Sequence, residues 1–84
     1  MSYEWRADLH SLSFQPPDHQ GRCIVHRRAF QTLLGFLPTG ADCAGFFELH
    51  RPAFEQAAAA KISRARLAPD ANFHLNSRDI RRAT

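Results

Sequence analysis

The sequence predicts an α+β fold: a two-layer domain with a small antiparallel sheet, in the order strand-strand-helix-helix-strand, and its helices on one face. Three observations predict it. His10, Leu12 and Phe14 alternate with Ser11 and Ser13, the period of a strand with one wet face. Phe73 and Leu75 alternate in the same way with Asn72, His74 and Asn76. Between these stretches, Cys43, Phe46, Phe47, Phe54, Ala57, Ala58, Ile62 and Ala65 recur in steps of threes, fours and a seven, the spacing of a helix with one buried face.

Taken in order, residues 1–9 have no clear period. Trp5 and Leu9 are candidates to pack, and the segment otherwise reads as a loose arm. Residues 10–14 form the first strand. Pro16-Pro17-Asp18-His19-Gln20-Gly21 is a turn, because two prolines remove ladder donors and Asp and Gly suit bends. Arg22 to Val25 is the second strand, paired with the first as a long-loop hairpin. The period then changes: Phe30, Leu33, Leu34 and Leu37 fall at helical spacing, and Gly35 stands where a helix ends in a left-handed residue.

Asp42 or Thr39 caps the long helix that follows, which runs to Arg66. Pro52 lacks an amide proton, and its ring meets the carbonyl of Glu48, yet the apolar phase runs through it. Either one helix kinks near Arg51, or two helices share an axis with Pro52 in the first turn of the second. Ala57 to Ala60 is the best helix-forming run and lets another element approach closely. Ala68-Pro69-Asp70-Ala71 is a turn, residues 73–75 are the third strand, and Asn76 with Asp79 resembles a capping box that opens a last helical turn over 77–82 with Ile80 inward.

Eighty-four residues make a single domain, residues 1–84. A chain of this size buries only about 60–65% of the surface that its unfolded form exposes, so self-association would add useful burial. A hydrophobic fraction of 44% and nine aromatics argue against disorder. The net charge is +3, with ten Arg and one Lys against eight acids, and the excess lies toward the C-terminal end. Met1 to Asp8 has no apolar run of the signal-peptide kind, and no apolar cluster is long enough to span a bilayer. The expectation is a cytoplasmic protein with reduced thiols and no membrane association.

The hairpin ending Val25-x-x-x-Ala29-Phe30, then Phe46/Phe47-x-x-His50-Arg51-Pro52, then Ala57-Ala58-x-x-Lys61, then Phe73-x-Leu75 and Asp79 resembles DUF 1488, a family of small bacterial domains of unknown function. The resemblance covers residues 10–82. It implies a fold and no activity. The chain differs from the family at Arg27-Arg28, where an acidic pair is common, and at Asp70-Ala71-Asn72, where glycine is common.

Each candidate site has an ordinary structural account beside it. Cys23, His26, Cys43 and His50 have spacings of C-x2-H and C-x6-H, which are not zinc-knuckle spacings. Cys23 and His26 on one strand point to opposite faces, so the cysteines read as small apolar fillers, with no metal and no cofactor expected. No nucleophile elbow, Walker loop or dinucleotide fingerprint is present, so no catalytic residue is assigned. His50 and Lys61 interrupt the apolar stripe. The ordinary account has Lys61 snorkelling and His50 bonded to a backbone carbonyl; the sharper one is a pocket lined by His50, Arg51 and Lys61 that takes an anion.

The basic face would comprise Arg22, Arg27, Arg28, Arg78, Arg81 and Arg82. The reading is a non-enzymatic interaction or accessory module that binds a protein partner or itself as a homo-oligomer. The alternative is a basic nucleic-acid-binding accessory protein that uses this arginine-rich face.

Overall fold

The computed structural model describes residues 3–83. Its elements run β1 (Tyr3–Arg6), a 3-10 turn (Ala7–Leu9), β2 (Ser11–Phe14), β3 (Cys23–His26), α1 (Arg27–Leu34), α2 (Gly40–Leu49), α3 (Arg51–Ala65), β4 (Phe73–Leu75) and α4 (Ser77–Arg82). The fold is α+β, as the alternating and helical periods require.

The sheet differs from the expected one in two ways. It has four strands in the order β1-β2-β3-β4, and it is mixed: β1–β2 and β2–β3 are antiparallel, whereas β3–β4 is parallel. The fourth strand comes from the segment read as a loose arm. Tyr3 and Trp5 stand opposite Phe14 and Leu12, and they turn inward while Glu4 and Arg6 stay wet. Four residues are too few for alternation to stand out, and the corner to β2 is turned by His10 in the left-handed region (φ 49°) rather than by a glycine. The parallel pairing follows from the connection. Three helices separate β3 from β4, and the 15-residue α3 returns the chain by about 22 Å at 1.5 Å per residue. The chain therefore re-enters the sheet in the direction of β3, as helical crossovers generally do.

Register puts one set of side chains inside. Tyr3, Phe14, Cys23 and Phe73 form one row, and Trp5, Leu12, Val25 and Leu75 form the next. The three long helices and α4 have their buried residues against this face. Phe54 of α3 is central: its ring centroid lies 5.1–6.4 Å from those of Phe14, Phe30, Phe46 and Phe47. Each of the fully buried rings, Phe14, Phe30, Phe47 and Phe54, contributes about 1.5–3 kcal/mol.

The long apolar stripe is two helices. His50 leaves the helical region (φ −116°, ψ 25°), donates its N–H to Phe46 O and accepts at its own carbonyl from Ala53 N at 2.9 Å. Pro52 then falls in the first turn of α3, where its missing donor costs nothing. Thr39 caps α2, and Asp42 completes a capping box with it: Asp42 N donates to Thr39 Oγ1 at 3.1 Å and Thr39 N donates to Asp42 Oδ2 at 2.9 Å. Asn76 and Asp79 form the same motif at α4. α1 ends at Gly35 with φ 82°, in the left-handed region expected there.

The 15–22 loop is more than a turn. His19 is 4% exposed, its Nε2 lies 2.8 Å from Ala71 O, and its ring meets Phe73 edge-on. Gln20 N donates to Pro69 O at 2.8 Å, so this loop and the 68–72 turn form one packed end of the molecule.

Candidate functional site

The residues expected to share a pocket are separated. His50 and Lys61 are eleven positions apart, which is about 16 Å along a helix. His50 makes no side-chain hydrogen bond among the described residues; its ring lies tilted on Phe46 with centroids 4.5 Å apart. The carbonyl bond expected of it is instead made by its backbone. The Arg51 guanidinium stands 5.4 Å above the Phe47 ring, and its Nε lies 3.3 Å from Glu55 Oε2 one turn on. Beside it, Tyr3 OH donates to Glu48 and ties β1 to α2.

Lys61 belongs to a different constellation. Its Nζ donates to His74 O at 2.7 Å and to Asp79 Oδ2 at 3.2 Å, and Arg64 Nη2 lies 3.4 Å from Asp79 Oδ1. Burial alone would push the Asp79 carboxyl up. The Asn76 amide and the Lys61 and Arg64 cations outweigh that, and hold it below the usual carboxylate range. Lys61 therefore reaches a buried carboxylate rather than snorkelling to water.

The six arginines divide. α1 packs against α4, and Arg81 Nη2 donates to Thr32 O at 3.4 Å. That brings Arg27 and Arg28 of α1 to the same end of the sheet as Arg78, Arg81 and Arg82 of α4. Arg22 is at the opposite end, before β3, with its Nη2 donating to Ser13 O and Oγ at 3.1 and 3.0 Å. It does not join the other five, because a strand lies between them.

The thiols are poor nucleophiles. Cys23 faces the core, and burial drives its pKa far up. Burial, aided by the Asp42 carboxylate, pushes Cys43 up to about 11. His26 points to the opposite face from Cys23, and among the described residues no group of three or more His, Cys, Asp and Glu is placed to hold a metal ion. His26 caps α1 through Nδ1, which accepts from Arg28 N at 3.1 Å. Partial burial first, then Arg28, His10, Arg27 and His74, hold its pKa below the usual imidazole value. No described helix is long and apolar enough to cross a membrane.

Three concavities remain. One, of about 500 Å³, lies on the open face of the sheet and is lined mainly by Glu4, Arg6, Ser13, Arg22, Ile24 and Asn72. A groove of about 330 Å³ lies between α1 and α2, lined mainly by Leu34, Phe36, Ala41, Gly45, Phe46 and Leu49. Its rim is unusually apolar: Leu49 is 76% exposed and Phe36 is 52% exposed. The sequence carried a faint signal of this. Leu49 falls off the phase of the buried stripe, and Phe36-Leu37 follow the glycine that ends α1. The third concavity is a notch of about 230 Å³ between α3 and α4, walled by Arg64, Asp79 and Arg82.

No family model, curated protein or solved structure matches this chain. The groove, the notch and the arginine end are therefore read on their chemistry alone.

Proposed function

We propose that this domain is a non-enzymatic cytoplasmic interaction module whose partner presents a short amphipathic helix to the groove between α1 and α2. The observation that carries the reading is Leu49, a large apolar side chain left 76% exposed beside Phe36 on the groove rim. Gly45 supports it: a Cβ there would meet nothing within 4 Å, so the middle of α2 is open to close approach. Kinship with DUF 1488 is proposed on the motifs alone and adds no activity.

Area favours a helix over a second copy. Phe36 and Leu49 on the groove together expose on the order of 250 Å², against roughly 800 Å² per partner in a standard interface. Charge favours a basic helix. The one charged residue in the groove lining is Asp42 of α2, so the groove against its own copy would bring like charges together. Such a helix would offer apolar residues at i, i+3 or i+4, and i+7, with Lys or Arg at its flanks.

The test is selection from a displayed library of helix-forming 15-residue peptides, followed by binding measurements on the Leu49→Glu variant. The expected winners carry that spacing and those flanks, and lose at least tenfold in affinity against Leu49→Glu. Winners without the spacing, or unaffected by the substitution, sink the reading. A concentration-dependent dimer by light scattering that Leu49→Glu abolishes would assign the groove to a second copy instead.

The second reading, nucleic acid, rests on Arg27, Arg28, Arg78, Arg81 and Arg82 at one end of the sheet. It requires affinity for single- or double-stranded DNA or RNA that falls steeply with salt. Affinity that stays flat between 50 and 200 mM salt, a range across which about six phosphate contacts would cost a thousandfold, removes it.

A further inference from the structure

We propose that the notch between α3 and α4 binds a small organic carboxylate, with its anionic end between Arg64 and Arg82 and its hydrocarbon body on the methyl groups of Ala57, Ala60 and Ala83. The site is separate from the α1–α2 groove and does not depend on what that groove binds.

The notch exists because α3 turns the small side chains of Ala57 and Ala60 toward α4, with Gln56 and Arg64 at its edges. α3 and α4 pack together, but Ala57 and Ala60 leave a space of about 230 Å³ between the helices. An apolar cavity of about 150 Å³ holds a benzene ring, so a space of this size admits a single ring or a short branched chain.

The charge around it is unbalanced. Asp79 is the one acid in the lining, and its Oδ2 is already engaged by Asn76 N at 3.0 Å and Lys61 Nζ at 3.2 Å. Lys61 offsets its charge, which leaves two guanidiniums in excess. Arg64 touches Asp79 through one nitrogen at 3.4 Å. Arg82 has no hydrogen-bond or ion-pair partner among the described residues. A guanidinium presents five donors in a planar fork that fits a carboxylate's two oxygens.

The same acid selects among anions. A ligand here lies beside a buried carboxylate, so a monoanion meets half the repulsion that a phosphate dianion does. The apolar floor favours a ligand with a hydrocarbon body over an inorganic ion.

The experiment is an NMR titration of the uniformly ¹⁵N-labelled chain with benzoate, benzamide and inorganic phosphate. Benzoate is expected to give saturable shifts confined to the amides of residues 56–64 and 79–83, with benzamide and phosphate at least tenfold weaker. Arg82→Ala and Arg64→Ala are each expected to weaken benzoate at least fivefold, Ala60→Leu to abolish it by filling the notch, and Leu49→Glu to leave it unchanged. Arg82 is exposed and unpartnered, so its variant folds like the parent, and a matching amide spectrum verifies this. Benzamide or phosphate binding as tightly as benzoate overturns the proposal. So do benzoate shifts that survive both arginine substitutions.

Discussion

Lys61 Nζ lies 3.2 Å from Asp79 Oδ2, and this contact locks α3 to the start of α4. Asp79 is 8% exposed and serves also as the third residue of the α4 capping box, so one carboxylate closes a helix end and neutralises a cation. Asp79→Ala removes both roles and strands Lys61 against the His74 carbonyl. The expected loss is about 2–4 kcal/mol in urea unfolding, between a cap deletion and the breaking of a buried pair. In a double-mutant cycle with Lys61→Met, the coupling is expected to exceed about 1 kcal/mol.

The same carboxylate sets an acid limit. Its folded-state pKa lies below the ordinary value, so the native state holds fewer protons than the unfolded chain as acid is added. Its contribution is present above the ordinary aspartate pKa, near 3.9, and is lost as pH falls from there through the folded value. Asp79→Asn therefore lowers stability at neutral pH and flattens its decline below about pH 4, read from urea midpoints across pH.

His26 gives a dependence in a different window. Its neutral Nδ1 accepts from Arg28 N to cap α1, and its folded pKa is lowered by partial burial and by the surrounding cations and imidazoles. A depressed imidazole resists protonation in the folded state, so stability falls as pH drops through the ordinary value near 6.5 toward the folded one. The group is largely exposed, which keeps the effect small. His26→Asn preserves the cap and is expected to remove this slope between about pH 7 and 5 while changing the pH 7.5 midpoint by less than about 0.5 kcal/mol.

Much of the fold is legible in the sequence because it is periodic. The stripe from Cys43 to Ile62, the Gly35 stop and the Asn76–Asp79 cap each need only local spacing. The rest depends on distant partners. β1 exists because Tyr3 and Trp5 find Phe14 and Leu12, and four residues have no periodic signature alone. Parallel β4 is a consequence of how far three helices carry the chain. For the site, the seven-residue step across Pro52 keeps one apolar phase, which puts His50 and Lys61 on one face. The true partner of Lys61 is Asp79, eighteen residues on, which no helical wheel connects. Buried His19 was equally hidden, since its acceptor is the Ala71 carbonyl.

Gly21 is expected to tolerate no side chain. A Cβ there would sit 2.1 Å from Ala71 O, where the 15–22 loop crosses the turn before β4. The obstacle is backbone fixed by the Gln20–Pro69 and Arg22–Asn72 hydrogen bonds, so it has nowhere to retreat. Gly21→Ala is expected to cost about 2–4 kcal/mol, the range of severe steric substitutions. Thermal unfolding would check it, with Asn72→Ala as a milder companion near 1 kcal/mol for the loss of one hydrogen bond.

Gly45 should behave in the opposite way. It lies inside α2, is exposed, and a Cβ there meets nothing within 4 Å. Glycine in a helix interior costs about 1 kcal/mol relative to alanine because its unfolded chain is freer. Gly45→Ala is therefore expected to stabilise the domain by about 0.5–1 kcal/mol, a rise of roughly 2–8 °C in Tm for a chain of this size. The proposed helix ligand of the α1–α2 groove needs that open surface. Gly45→Leu is accordingly expected to raise Tm as well while weakening the selected peptides at least tenfold. Stability and binding moving in opposite directions would separate a groove left open for a partner from a helix that is merely imperfect. If both substitutions raise Tm and neither weakens peptide binding, the glycine has no part in docking.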